Sequence, residues 1–232
     1  RVLVKLRAAE LFREWLAGNT RQPETIAFSG VTDCYQPAER RFRLTRSCLQ
    51  VALEAGQPIS IVTKNALVTR DLDIIREMAR RRLADVSMSI TSLIPELTRV
   101  LEPRTSSPEA RLRTIRDLGE AGVPVRVIVA PVIPGLNDAE IPEILAAAKK
   151  AGAQSSAYVL LPLPHAVRPV FLDWLERNAP TRAARVESLI RSTRSGGLND
   201  AEFGSRMRGV GPLADQIRQT FRVFAKKHGL DR

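Results

Sequence analysis

Polar side chains follow three apolar runs of this sequence, at the points where those runs end. Thr32 and Asp33 come after the first run, Lys64 follows the second, and Ser89 and Thr91 close the third. If the runs are parallel strands, their carboxyl ends share one rim, which is where βα folds bind ligands. Lys64 offers a point charge for a carboxylate, and the hydroxyls offer hydrogen bonds to a sugar or an amino group. The set predicts a site for a ligand with a hydroxylated sugar and a carboxylate.

Other kinds of site have little support. Ser, Thr and Asp are common in loops, so each residue taken alone could simply cap a turn. His165 and His228 lack the spacing of a metal pair, and no acid–base dyad, P-loop or GxGxxG motif is present. It is the joint pattern at successive strand ends that favours a ligand site.

Strands and helices must alternate to position these residues. The expected strands are short and apolar, and they lie at residues 25–29, 59–63, 85–90, 124–130 and 157–161. Helices are expected between them at residues 38–55, 71–82, 108–122 and 139–152. Continuous apolar strands separated by helices imply a parallel sheet that is covered by helices. The pattern predicts an α/β fold with an open or partial barrel, and a doubly wound sheet is the alternative.

The pattern becomes helical after residue 161. Helices are expected at residues 171–178, 181–194 and 212–228, with a glycine-rich polar stretch before the last. Residues 1–165 are therefore expected to form the barrel, and residues 166–232 a C-terminal helical extension packed on it. At the other end, residues 2–6 suggest a short edge strand and residues 8–17 a helix.

Composition limits the class of protein. The 232 residues are 44% hydrophobic, which is enough for one sizeable core. No run approaches the roughly 20 apolar residues that span a bilayer, and no signal peptide is visible, so we expect a cytoplasmic protein with no membrane partner. The net charge of +11 favours a polyanion such as nucleic acid as partner, although arginine runs often simply face water. Cys34 and Cys48 are expected to be free thiols in a reducing compartment.

Longer runs of the sequence resemble one enzyme family. They are GVTDCYQPAERRFRLTRSCL, SIVTKNALVTRDLDII, and a run over residues 89–138. This third run begins with SITS and ends with LEPRTSSPEARLRTIRDLGEAGVPVRVIVAPVIPGLND. From about residue 4 to FGSRMRGVGPLADQI, the chain is similar to radical S-adenosylmethionine (SAM) enzymes. Within them it resembles uncharacterised proteins related to spore photoproduct lyase, a DNA repair enzyme. The resemblance implies a partial (β/α)6 TIM-like barrel of parallel strands.

The resemblance also implies a cofactor site. In the family, SAM binds a [4Fe-4S] cluster through its amino and carboxylate groups, and its cleavage gives a 5′-deoxyadenosyl radical that abstracts hydrogen from the substrate. The matching positions here put Thr32, with Asp33 beside it, near the amino group, and Lys64 at the carboxylate. The remaining implied contacts are Ser89 and Thr91 for the ribose, Val129, Pro131 and Val132 for the adenine, and Arg104, Tyr158, Arg206 and Arg208 for a substrate.

The chain departs from the family in lacking the CxxxCxxC loop that ligates the cluster. In the family that loop follows the first barrel strand. We therefore expect this chain to hold strands two to six, to lack the first strand, and to have its cluster cysteines upstream of Arg1, so that no metal ligand lies in it. The full-length protein is expected to be a radical SAM enzyme, acting on nucleic acid as a lyase or repair enzyme, with an electron donor such as flavodoxin or ferredoxin. The fragment alone is expected to be inactive.

Two alternatives stay open. The first is a cluster-less remnant of the fold that binds a nucleotide or nucleic acid without catalysis. The second, weaker alternative is an unrelated barrel enzyme that uses metal or phosphate chemistry. The absence of clustered acidic and histidine residues at the strand ends counts against its metal version.

Overall fold

A sheet of five parallel strands forms the centre of the computed structural model, which describes residues 3–19, 24–30, 32–200, 202 and 205–231. The strands pair in sequence order, and they are β1 (Ile26–Phe28), β2 (Ile59–Thr63), β3 (Ala84–Ile90), β4 (Val125–Val132) and β5 (Ser155–Leu160). A doubly wound sheet reverses its strand order part-way. This order never reverses, so the expected open barrel of parallel strands is confirmed and the doubly wound alternative is wrong.

Helices precede, connect and follow the strands. The first six are α1 (Ala8–Gly18), α2 (Glu39–Phe42), α3 (Leu44–Ala55), α4 (Leu72–Arg80), α5 (Pro95–Leu101) and α6 (Pro108–Glu120). The others are α7 (Ile141–Ala151), α8 (Val167–Asn178), α9 (Ala183–Ser192) and α10 (Pro212–Lys227). Two 3-10 turns, Ala66–Asp71 and Asp138–Glu140, lead into α4 and α7. None of the helices in the described part of the chain is both long and apolar enough to cross a bilayer.

Alternating side chains give the sheet two different faces. On β3, Met88 and Ile90 are buried in the main core, which also contains Leu118 from α6. Because successive strand residues point to opposite faces, Ser87 and Ser89 point away from these helices. The faces differ in chemistry as a result: one is apolar and covered by helices, and the other carries many small and polar side chains.

The residues after 166 occupy two places. Helices α8 and α9 pack around a second apolar cluster that includes Leu161, Phe171 and Val186. Helix α10 instead packs against α7 and β5, in the position of one more barrel helix. The division at residue 165 into barrel and extension stays a prediction, because the last helix of the expected extension covers the sheet itself.

The C-terminal segment also covers the outer edge of β5. The backbone N–H of Ser156 donates to the Leu230 carbonyl at 2.8 Å, and that of Leu160 donates to the Met207 carbonyl at 2.9 Å. An uncovered edge strand is open to pairing with another chain. The β5 edge is therefore satisfied within the molecule.

Three local expectations differ from the structure. The helix expected at residues 38–55 is broken at Arg43, whose φ is +52°, because the Glu39 carboxylate accepts the Thr45 N–H at 3.1 Å and caps a new helix there. Helix α5 was not expected. Residues 3–7 form no strand, and Val2, where the expected edge strand began, lies outside the described residues.

Candidate functional site at the carboxyl rim

The carboxyl ends of the strands lie on the same side of the sheet, because all five strands are parallel. The ends are stepped: β2 runs two residues past the Phe28–Ile61 pair, and β3 runs two residues past the Thr63–Met88 pair. Thr32, Lys64, Ser89 and Thr91 therefore lie along one edge of the sheet, which we call the rim together with its loops. The shared edge that the sequence pattern predicts is present, whereas the ligand-binding roles of these residues stay predictions.

Asp33 joins the loop after β1 to the end of β2. Its carboxylate accepts hydrogen bonds from the Thr63 hydroxyl at 2.8 and 3.0 Å and from the Lys64 backbone N–H at 3.0 Å. It also accepts the Tyr35 N–H at 2.8 Å. Asp33 thus stabilises the rim through hydrogen bonds within the protein, while its neighbour Thr32 is exposed.

A buried charge cluster stabilises the same loop from behind. Asp71 is fully buried and accepts hydrogen bonds from the Tyr35 hydroxyl at 3.1 Å and from Arg70 at 2.7 Å. Arg70 also reaches the Glu39 carboxylate at 2.9 Å. Burial, together with the negative charge of Asp71, holds the pKa of Tyr35 far above its usual range. Paired charges of this kind hold the loop that carries Thr32 in place.

Lys64 belongs to a chain of three charges. Its Nζ lies 2.5 Å from Glu102 Oε1, and Glu102 Oε2 lies 2.8 Å from Arg111 Nη2. The side chains of Glu102 and Arg111 are 7% and 1% exposed, whereas that of Lys64 is 35% exposed. Burial tends to raise the pKa of Glu102, but the two cations outweigh it and the pKa is lowered. We call these three residues the Lys64–Glu102–Arg111 triad.

Sequence reasoning missed Glu102 and Arg111. Arg111 carries a charge on the buried stripe of α6, between Pro108 and Ile115. A charged residue in an otherwise apolar stripe signals a buried partner, and that signal was available in the sequence.

The hydroxyls of Ser89 and Thr91 tie β3 to β4. Both donate to the Ala130 carbonyl, at 3.1 and 2.7 Å. Ser89 is 7% exposed and Thr91 is fully buried. What Ser89 can offer a ligand is a hydroxyl lone pair, whereas Thr91 lies beneath the surface.

Asn137 fixes the loop after β4, and it too was missed, although it lies in the PGLND run. Its amide group donates to the Thr91 carbonyl at 2.7 Å and to the Pro131 carbonyl at 3.0 Å, and its Oδ1 accepts the Ile133 N–H at 2.6 Å. It is 2% exposed. A single side chain therefore holds the end of β3 and the loop after β4 together.

The expected adenine-lining residues lie at different depths. Val129 and Val132 belong to the main apolar core, with 1% and 0% exposure. Pro131 is half-buried. Pro131 is thus the one of the three that a ligand could reach.

The expected substrate-contacting residues lie on two sides. Arg104 is exposed in the loop between α5 and α6, and Arg206 and Arg208 are exposed beside Met207, which pairs with the end of β5. Tyr158 lies on the helix-covered face, with its ring centroid 4.8 Å from that of Phe221, and its buried hydroxyl has no hydrogen-bond partner among the described atoms. Tyr158 therefore lies on the helix-covered face, although the charge of Arg208 still acts on its hydroxyl.

Metal ligands are missing from the described part of the chain. No group of three or more His, Cys, Asp or Glu residues there is placed to hold a metal ion. Burial raises the pKa of Cys34 to about 12 and also raises the pKa of Cys48, which disfavours the thiolate forms that bind metals. These residues do not fit a [4Fe-4S] cluster, which needs cysteine thiolates.

The comparison with protein families decides the membership of this chain. Residues 3–148 match the family model of the Radical SAM superfamily. The chain belongs to the radical SAM superfamily. Members of this superfamily use SAM and a [4Fe-4S] cluster.

Relatives of this radical SAM chain occur in bacteria and archaea. An uncharacterised protein of Mycobacterium tuberculosis is 35% identical over 192 residues, which is 82% of this chain and 56% of that protein. An uncharacterised protein of Methanocaldococcus jannaschii is 33% identical over 115 residues, or 50% of this chain and 43% of that protein. The match thus spans little more than half the length of the first relative and less than half the length of the second.

Solved structures of spore photoproduct lyase share the fold. One, in complex with dinucleoside spore photoproduct, has a TM-score of 0.67 and 17% identity, covering 98% of this chain and 65% of that one. A mutant with bound AdoMet and dinucleoside spore photoproduct has a TM-score of 0.62 and 15% identity over the same shares. At this level of identity, the likeness concerns the radical SAM fold alone.

Proposed function

We propose that this chain is the SAM-binding part of a radical SAM enzyme. The observation that carries the proposal is the rim, where Thr32 and Lys64 follow β1 and β2 and Ser89 lies at the end of the adjacent parallel strand β3. Ligands of parallel βα folds bind at this end of the strands. Membership of the superfamily supplies the identity of the ligand.

The residues of the rim suit the parts of SAM. The partly exposed ammonium of Lys64 would neutralise the carboxylate, and the exposed hydroxyl of Thr32 would bond the amino group. A lone pair of Ser89 would accept a ribose hydroxyl, and Pro131 would lie against the adenine. If the full-length protein held a reduced cluster, SAM bound there would supply a radical that abstracts hydrogen from the substrate.

The cluster ligands of the proposed enzyme would come from outside the described residues. Within the described part, β1 is hydrogen-bonded on one side only, by β2. A free edge of this kind accepts a further strand. We propose that a cysteine-bearing strand and loop of the full-length protein adjoin β1 there.

A nucleic acid is the proposed substrate class. The net charge of +11 attracts polyanions, and Arg104 and Arg208 are exposed at the rim. The complex of spore photoproduct lyase with dinucleoside spore photoproduct is consistent with a substrate of this class. Reduction of the cluster would need a small electron-transfer protein of the flavodoxin or ferredoxin type, and we expect this enzyme in the cytoplasm.

The test is SAM cleavage by the full-length protein after anaerobic reconstitution with iron and sulfide. We expect dithionite-dependent release of 5′-deoxyadenosine and methionine. Lys64→Ala should weaken SAM binding, whereas Lys150→Ala, at the exposed far end of α7, should leave it unchanged. A reconstituted protein that binds a cluster but does not cleave SAM would overturn the proposal.

A non-catalytic binding protein is the second candidate. The lack of a metal-binding group in the described residues favours it. It predicts that the full-length protein binds SAM or a nucleotide but takes up no cluster during reconstitution.

A further inference from the structure

We infer that Glu102 and Arg111 are positioning residues that hold the Lys64 ammonium in place for a ligand carboxylate. This inference rests on the proposed SAM site and adds to it two residues that lie beneath the rim. Neither residue was expected at the site from the sequence.

Glu102 is itself held rigidly. Arg111 donates to Glu102 Oε2 at 2.8 Å, to the Ser106 carbonyl at 2.9 Å and to the Ser89 carbonyl at 3.0 Å. Arg111 is 1% exposed, so these hydrogen bonds form away from water. The Glu102 carboxylate is thus a fixed anchor for Lys64.

The anchor orders a side chain that is otherwise flexible. A free lysine side chain loses rotamer freedom when it is fixed, and this loss opposes binding. Lys64 is already fixed by the 2.5 Å contact to Glu102, while 35% of its side chain still faces solvent. The ammonium has three N–H donors, so one can serve Glu102 and the others a ligand. Binding is favoured because the ordering has taken place before the ligand arrives.

The charge of the triad matches one carboxylate. Two cations and one anion leave a net charge of +1, and the negative partner is almost fully buried. A ligand carboxylate at Lys64 would bring the group to neutrality. Arg111 also holds the Ser89 carbonyl, so the same guanidinium sets the distance between the Lys64 anchor and the proposed ribose contact.

The test separates position from charge. Glu102→Asp keeps the negative charge but retracts the carboxylate by about 1.5 Å, the length of one carbon–carbon bond. We expect the affinity of the full-length protein for SAM to fall at least about fivefold, as for a lost hydrogen bond to a charged group. Glu96→Asp, at an exposed position of α5, the helix that ends directly before Glu102, is the matched control and should bind SAM normally.

Two further measurements identify the mechanism of the loss. Affinity for 5′-methylthioadenosine, which has the nucleoside but no carboxylate, should be the same in Glu102→Asp and in the wild type. In a Lys64→Ala background, Glu102→Asp should cause no additional loss of SAM affinity. If Glu102 only stabilised the fold, Glu102→Asp would lower the affinity for 5′-methylthioadenosine as much as the affinity for SAM. It would also lower SAM affinity further in the Lys64→Ala background.

The outcomes distinguish a failure of the positioning role of Glu102 from a failure of the proposed SAM site. If the wild type binds SAM and Glu102→Asp binds it equally well, or if both ligands lose affinity alike, the positioning role is wrong and the SAM site stands. If the wild type binds no SAM, the proposed function fails and the positioning role fails with it.

Discussion

A carboxylate that is as deeply buried as Glu102 depends on its partners to stay charged. Its pKa is lowered because Arg111 and Lys64 outweigh the effect of burial, so the folded state holds the ionised form more strongly than the unfolded state does. Such a group contributes stability above its ordinary pKa, and that contribution is lost as the pH falls through the lowered pKa.

Glu102→Gln should therefore destabilise the protein in a pH-dependent way. At pH about 7, loss of the buried pair should lower the free energy of unfolding by about 3–5 kcal/mol. The difference from the wild type should shrink as the pH falls below about 4.3, the ordinary pKa of a glutamate. Urea unfolding between about pH 7 and pH 3 measures it, with Glu96→Gln as the exposed control. A gap that stayed constant over this range would contradict the assigned ionisation.

At the scale of single residues, the sequence predicts what is local. Lys64 follows its strand directly, so the strand pattern alone predicts its place on the rim. Glu102 lies 38 residues further along, and nothing in the local pattern shows that its side chain turns back to Lys64. The burial of Thr91 and Val129 could not be predicted either, because burial depends on which helices cover the sheet.

At the scale of elements, close packing against β5 determines which residue can occupy position 209, in the segment that pairs with that strand. Gly209 has φ +71°, and a Cβ there would lie 2.9 Å from Leu160 Cδ2 and 3.0 Å from the Thr193 carbonyl oxygen. Gly196 also has a positive φ, +89°, but a Cβ there would meet nothing within 4 Å. The two glycines share the backbone constraint and differ in the space around them.

Gly209→Ala should be clearly more destabilising than Gly196→Ala. The left-handed backbone alone costs about 1–2 kcal/mol in each variant. Overpacking should add about 1–3 kcal/mol at Gly209. Chemical denaturation of the two variants side by side measures the difference. Equal losses would mean that the segment shifts away from β5 without cost.

Element positions were predictable to a useful degree, and the exceptions have physical causes. All five strands lie where apolar runs occur, because a strand buried under helices needs such a run. The break at Arg43 was not visible, since helical periodicity continues through it and the capping carboxylate of Glu39 acts through a buried cluster with Arg70. Helix α5 is only seven residues long, too short for a clear periodic signal.

At the scale of the whole molecule, the excess of positive charge predicts that binding to the proposed nucleic-acid substrate depends on salt concentration. Binding of the full-length protein to DNA should weaken at least about tenfold between about 50 and about 200 mM salt, because bound cations are released from phosphates. Fluorescence anisotropy with a labelled oligonucleotide measures this dependence.

Substitutions localise the contact. Arg104→Gln combined with Arg208→Gln, both at the rim, should weaken binding and make it less sensitive to salt. Arg80→Gln, at the end of α4 where Arg80 pairs with Glu77, is the control and should have little effect. Binding that does not respond to salt would argue against a nucleic acid as the partner.

The two margins of the sheet differ, since Leu230 and Met207 cover β5 while β1 has a hydrogen-bonded neighbour on one side only among the described residues. Two copies of this isolated chain that met through β1 would leave none of the described strands bare for a third copy. Self-association by strand pairing would then stop at dimers and could not grow into fibres.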